Sequence, residues 1–67
     1  MIGAKIVQLR TAKGETREQL ARCLRLDPST IAYWERDDST PRKAALRRLA
    51  RHFGVTVADL FMARKVA

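Results

Sequence analysis

Four side chains near the middle of the sequence are spaced to share one face of a helix. Ser29, Ala32, Tyr33 and Arg36 fall at positions i, i+3, i+4 and i+7, a spacing that aligns side chains along a helix. A serine hydroxyl bonds several bases, an alanine can touch a thymine methyl, and an arginine can bind guanine through two hydrogen bonds. We call these four residues the reading stripe. They suit either base edges in a DNA groove or an ordinary solvated face, although solvated faces usually carry Lys and Glu.

A second set of candidate residues lies near two expected helix starts. Thr16 and Arg17 stand at one start, and Arg42 and Lys43 at another. The first turn of a helix has free backbone N–H groups and a positive dipole end, both of which suit a phosphate. With Thr30 added, the predicted phosphate-binding residues are Thr16, Arg17, Thr30, Arg42 and Lys43. The alternative is ordinary surface charge.

The composition also favours a polyanionic partner. The chain has 67 residues, with 14 Lys and Arg against 7 Asp and Glu, and a net charge of +7. Such a field around a small domain attracts nucleic acid, although solubility alone would also explain it. The length leaves room for one domain, which we place at residues 1–67. A core this small needs efficient packing or a partner.

Several classes of protein are excluded or disfavoured. A lone cysteine, Cys23, and a lone histidine, His52, leave no internal disulfide and no zinc site of four Cys and His ligands. We expect no metal and no cofactor. No arrangement of carboxylates, nucleophile and base, or glycine-rich phosphate loop indicates an enzyme. The N-terminus lacks the pattern of a signal peptide, and the apolar runs are too short to span a membrane, so we expect a cytoplasmic protein.

The reading stripe and the cations are expected to lie on helices, because the apolar residues recur with helical periodicity throughout the chain. Helix boundaries follow from capping signals such as Thr16 with Gln19, Asp27 before Pro28, and Gly54 after a basic last turn. The predicted helices span about residues 3–13, 17–24, 28–36 and 42–53, with a short fifth helix after Thr56. No segment alternates with period two, so no sheet is expected. Residues 63–67 are predicted to fray.

The second and third predicted helices are joined by about three residues, which indicates a helix-turn-helix over residues 17–36. Ala21 is small enough to let the two helices cross closely. Leu20 and Leu24 on the second helix should bury against Ile31 and Trp34 on the third. This packing would leave the reading stripe facing outward.

In order and spacing, the motifs resemble the lambda repressor and Cro-like helix-turn-helix family, also called the XRE family. They are Ile6-x-x-Leu9-Arg10, Thr16-x-x-Gln19-Leu20-Ala21 with Leu24, Ser29-Thr30-Ile31, Trp34-Glu35-Arg36, Pro41, Leu46-x-x-Leu49-Ala50-x-x-Phe53-Gly54-Val55-Thr56 and Leu60-Phe61. The resemblance implies an all-α fold, a compact five-helix lambda-repressor-like DNA-binding domain of bacterial or phage origin. It also implies a recognition helix at the third position, a homodimer on a near-palindromic operator, and a structural ion pair between Arg10 and Glu35.

The sequence departs from the family pattern at four positions. Arg25 and Asp37 stand where glycines are common, and a non-glycine residue there can adopt a left-handed conformation at some cost. Asp27 replaces the usual Ser or Thr cap of the third helix, and its carboxylate could accept a hydrogen bond from a cytosine amine. Pro28 occupies a position that often carries a base-contacting side chain. Asp27 and Pro28 therefore join the reading stripe as candidate base-reading residues.

These features predict a sequence-specific, double-stranded DNA-binding transcriptional regulator that acts as a repressor. The alternative is a protein-interaction module, such as an antitoxin, that uses an apolar C-terminal surface containing Phe61 and Met62. These two residues either cover the core or form a dimer contact. RNA binding is disfavoured, because the chain has few aromatic residues and no sheet on which bases could stack.

Overall fold

The computed structural model describes residues 2–61, which fold into five helices. They are α1 (Ile2–Ala12), α2 (Arg17–Leu24), α3 (Pro28–Glu35), α4 (Lys43–Phe53) and α5 (Val57–Phe61). Residues 2–61 contain no strand, and the all-α prediction is confirmed. None of the described helices has the length and apolar character needed to cross a membrane. The predicted frayed tail at 63–67 and Met62 lie outside the described residues.

The helix starts follow the predicted capping signals. The Thr16 hydroxyl accepts a hydrogen bond from the Gln19 N–H at 3.1 Å, and the Gln19 side chain accepts one from the Thr16 N–H at 2.8 Å. This reciprocal pair satisfies two backbone donors that the helix itself leaves free. The α2 boundaries match the prediction. Arg42 caps α4 and Arg36 ends α3 rather than lying inside these helices, a shift of one residue in each case.

The core draws one fully buried side chain from each helix. Five large side chains are essentially inaccessible to solvent, and in chain order they are Ile6, Leu20, Ile31, Leu49 and Leu60. Ala21, at 1% exposure, belongs to the same core. Leu9 and Phe53 are only partly buried and pack against this core, and Phe61 is 48% exposed.

The first and third helices approach each other closely at Gly3. Gly3 is buried, and a Cβ atom at this position would lie 2.7 Å from the Trp34 carbonyl oxygen and closer still to that of Glu35. Its N–H donates to Asp37 Oδ1 at 3.0 Å. Sequence patterns did not predict this contact, since a glycine at a helix start looks unremarkable on its own.

The turn between α2 and α3 uses a left-handed residue that is not glycine. Arg25 has φ 57° and ψ 46°, and the following Leu26 N–H donates to the Ala21 carbonyl at 2.8 Å. This closes α2 in the way that glycine usually does. The expectation that Arg25 can take this conformation is confirmed.

Replacing Arg25 with glycine should therefore stabilise the domain. A side chain in the left-handed region costs about 1–2 kcal/mol, and glycine removes this cost. Glycine also makes the unfolded chain more flexible, which offsets part of the benefit, so the net increase in the free energy of unfolding should be about 0.5–1 kcal/mol. Denaturant unfolding of Arg25→Gly measures it. Asp37→Gly is the matched variant, because Asp37 also has a positive φ of 60° but accepts the Gly3 hydrogen bond. An equal gain in both variants would contradict this explanation.

Candidate nucleic-acid interface

Helix α3 has one buried and one accessible side. Ile31 is fully buried and Trp34 is 6% exposed, whereas Tyr33 is 49% exposed. Of the other members of the reading stripe, Ser29 and Arg36 are exposed and Ala32 is half-buried. Packing therefore leaves an outer face on α3 and the Arg36 that follows it, with a small hydroxyl, a methyl, a phenol and a guanidinium.

Arg36 is held at the C-terminal end of this face by two neighbours. Its Nε donates to Asp38 Oδ2 at 3.0 Å, and its guanidinium carbon lies 5.2 Å from the centroid of the Tyr33 ring. The Tyr33 contact has the geometry of a cation–π interaction. The ion pair with Asp38 is solvent-exposed and therefore weak, so a guanine base could compete for the guanidinium.

At the N-terminal end of α3, Asp27 and Ser29 present hydrogen-bond acceptors. Asp27 Oδ1 accepts from the Ser29 N–H at 2.9 Å and from the Ser29 hydroxyl at 2.7 Å. The Ser29 N–H and then its hydroxyl lower the pKa of Asp27 from its ordinary value, so the carboxylate is charged at neutral pH. With the hydroxyl proton already donated, Ser29 and Asp27 both offer acceptors to an exocyclic base amine. Pro28 between them is exposed and has no N–H to donate.

Four of the five predicted phosphate-binding residues lie at the starts of α2 and α4, and Thr30 lies on α3 itself. Arg42 and Lys43 are exposed at the start of α4, whose cap has no side-chain hydrogen bond. Thr30 is half-buried and shares a groove of about 400 Å³ with Arg42 between α3 and α4. Thr16 is exposed at the start of α2. The starts of α2 and α4, one before and one after α3 in the sequence, therefore each carry a cation.

Glu35 binds two arginines from two different elements. Arg10 Nε lies 2.7 Å from Glu35 Oε2, as the family pattern implies, and Arg17 Nε lies 2.7 Å from Oε1. The Glu35 side chain is 2% exposed, whereas half of the Arg17 side chain remains accessible. The hydrogen bond and charge of Glu35 raise the pKa of Arg17. Arg17 is thus a structural partner of Glu35 as well as a candidate phosphate ligand, a role that the sequence patterns did not indicate.

Arg48 has a role that the sequence did not indicate. Its guanidinium donates to the Leu24 carbonyl. The last carbonyls of a helix have no partner within the helix, so Arg48 satisfies one of them and connects α4 to the end of α2. The role could have been anticipated only from the general need of the last α2 carbonyls for a hydrogen-bond donor outside the helix.

Comparison with known proteins agrees with this geometry. A helix-turn-helix family model matches residues 6–60. The HTH-type transcriptional activator BcrR of Enterococcus faecalis is 38% identical over 56 residues, which cover 84% of this chain and 28% of the relative. The chain therefore spans less than a third of the length of that relative. No solved structure matches the chain.

The family match covers α2, the turn at Arg25 and α3, together with nearly all of the helices that support them. The elements matched are those that bury Ile31 and Trp34 and leave the reading stripe accessible. From the family match and the relative, we conclude that the chain belongs to the XRE-type helix-turn-helix family of DNA-binding transcription regulators.

Proposed function

We propose that this domain binds specific duplex DNA with α3 in the major groove. The observation that carries the proposal is the two-sided character of α3, whose inner side is held by Ile31 and Trp34 while the reading stripe stays accessible. The acceptors at Asp27 and Ser29 suit an exocyclic amine, and the guanidinium of Arg36 suits guanine. Thr16, Arg17, Thr30, Arg42 and Lys43 contact the phosphates that border the groove.

We further propose that two copies bind a near-palindromic site. A single α3 reaches only a few base pairs, so a pair of domains is needed to specify a longer sequence. Phe61, at 48% exposure at the end of α5, is an apolar residue available for a contact between copies. The domain then acts in the cytoplasm of a bacterium, as part of a regulator of transcription.

We propose that the protein represses transcription, because a protein bound in the groove of a promoter is enough to exclude RNA polymerase. The relative BcrR is described as an activator, so the position of the bound site has to be tested. A reporter gene with the selected site inside the promoter should lose expression when the protein is made. Increased expression from that reporter would contradict the proposal.

Selection of duplexes from a random DNA pool tests the binding function directly. We expect an enriched half-site that occurs twice in inverted orientation, with centres about one helical turn, or about 10 base pairs, apart. Affinity for the selected duplex should fall steeply as salt rises, because each neutralised phosphate releases a counterion. A pool without enrichment, or an affinity that does not respond to salt, would refute the proposal.

Arg36→Ala and Lys43→Ala should weaken binding in different ways. Loss of Arg36 should cost about 1–3 kcal/mol on the selected duplex and little on a scrambled one, because it removes a base contact. Loss of Lys43 should weaken both duplexes alike and reduce the salt slope by about 1, because it removes one phosphate contact. Fluorescence anisotropy titrations at several salt concentrations measure both effects.

The comparison uses Lys43 rather than Arg17 because Arg17 also holds Glu35, so its removal would change stability as well as binding. Lys43 and Arg36 are both exposed, and neither side chain contributes to the core. If the two variants lose affinity for both duplexes equally, the reading stripe is wrongly assigned.

A further inference from the structure

Three side chains with metal-binding chemistry meet outside the proposed DNA-reading helix. Glu15 lies in the turn before α2, Cys23 on α2 and His52 in the last turn of α4. Their carboxylate oxygen, sulfur and imidazole nitrogen lie within 4.8 Å of one another. His52 Nε2 is already 2.8 Å from Glu15 Oε2 and 3.0 Å from Oε1. The sequence alone indicated no metal, because no pattern associates residues so far apart along the chain.

We propose that Glu15, Cys23 and His52 form a binding site for a divalent transition metal of the zinc class. One thiolate, one imidazole and one carboxylate are the donor types that zinc prefers, and three protein ligands leave a fourth position for water. Zinc–ligand bonds of about 2.0–2.3 Å place neighbouring donors of a tetrahedral site roughly 3.3–3.8 Å apart. The three donors lie within 4.8 Å of one another. His52 Nε2 and Glu15 Oε2, at 2.8 Å, are closer than a shared metal requires, so a metal would replace the hydrogen bond between them, and the exposed Cys23 side chain would turn toward it.

The surroundings hold two of the ligands in place. The Arg10 guanidinium donates to the Glu15 carbonyl at 2.7 Å, and Lys13 Nζ donates to the His52 carbonyl at 3.1 Å. The ring of His52 also meets the ring of Phe53 edge to face, with centroids 5.0 Å apart. These contacts fix the segments that carry the carboxylate and the imidazole, and such support strengthens metal binding.

The charges at the site are compatible with a dication despite the basic surroundings. Arg48 and Arg51 line the same shallow pocket as Cys23 and His52, and they oppose a cation on their own. On binding, the thiol releases its proton to solvent, so the thiolate and the Glu15 carboxylate together cancel the charge of the metal. The arginines then meet a neutral centre, whose fourth position can hold water or a small anion.

A bound metal would cross-link the turn before α2, α2 itself and the end of α4. Ligand binding to the folded state alone stabilises it, so the midpoint of thermal unfolding should rise with added zinc. The proposal does not depend on DNA binding, because none of the three ligands is in α3 or among the predicted DNA-contacting residues.

Titration of the reduced domain with Co²⁺ tests the site, since thiolate-bound tetrahedral cobalt gives a charge-transfer band and intense visible bands. We expect one cobalt per chain and displacement by Zn²⁺. Cys23→Ser should abolish the charge-transfer band. His52→Gln should lower affinity about tenfold or more, since loss of a ligand must cost at least as much as loss of a supporting residue. Glu18→Gln removes an exposed carboxylate three residues further along the chain and should change nothing.

Three results would overturn the proposal. Unchanged cobalt affinity in His52→Gln would show simple binding to an exposed thiol, and half a metal per chain would show a site shared between copies. The far-ultraviolet circular dichroism of each variant establishes that it is folded. If His52→Gln does not fold, the visible spectrum of the cobalt-titrated wild-type domain is the test. Absence of tetrahedral bands in that spectrum would refute the site.

Discussion

Replacing Glu35 with alanine should lower the free energy of unfolding by about 3 kcal/mol, the lower end of the range of about 3–5 kcal/mol for removing one partner of a buried ion pair. The carboxylate is 2% exposed and binds Arg10, whose side chain is only 13% exposed. Its loss leaves the Arg10 charge buried without its partner. A domain of this size is stabilised by about 3–10 kcal/mol in total, so much of the population would unfold on mild heating.

Asp38→Ala is the matched control for this prediction. Asp38 also pairs with an arginine, Arg36, but both side chains are more than half exposed, and exposed pairs contribute at most about 1 kcal/mol. Denaturant unfolding followed by circular dichroism compares the two variants. Equal losses from Glu35→Ala and Asp38→Ala would mean that burial of the Glu35 pair does not contribute to stability.

Replacing Gly3 with alanine should also destabilise the domain, by about 2 kcal/mol, although glycine to alanine within a helix ordinarily stabilises by about 1 kcal/mol. The reversed sign comes from the backbone of α3, because the added methyl would lie 2.7 Å from the Trp34 carbonyl oxygen and closer to that of Glu35. Backbone atoms cannot rotate away as a side chain can. Helix α1 would have to shift and weaken the Gly3 hydrogen bond to Asp37.

Gly14→Ala provides the control for the Gly3 prediction. Gly14 has φ 70°, and a methyl group added there would meet no atom within 4 Å, so its replacement costs only the backbone preference, about 1 kcal/mol. Thermal unfolding of the two variants measures the difference. If Gly3→Ala is as stable as the wild type or more stable, the close approach of α1 to α3 is not present in solution.

The features predicted well from sequence were those that depend on neighbours in the chain. The limits of α2 follow from the Thr16 and Gln19 capping box and from its apolar face, both of which are local. The two sides of α3 follow from helical spacing, which places Ile31 and Trp34 opposite Tyr33. The family resemblance added the pair of Arg10 with Glu35, which no local rule would have proposed.

The features that were missed join residues far apart in the chain. Arg17 reaches Glu35, and Glu15 reaches His52, through the arrangement of helices in space rather than through any periodicity. The need for glycine at position 3 likewise arises only when the carbonyls of α3 are brought against α1. Local patterns give the faces of helices, whereas the partners of charged side chains depend on how those helices are packed.

The core shared by all five helices determines how the domain unfolds. Each helix contributes one of the five fully buried side chains, from Ile6 in α1 to Leu60 in α5. Removing any single helix would therefore expose part of the same core that the other four share, and no pair of helices retains a core of its own. Partial unfolding is costly in such an arrangement, so the described helices should exchange their amide hydrogens together, through global unfolding, rather than one helix at a time.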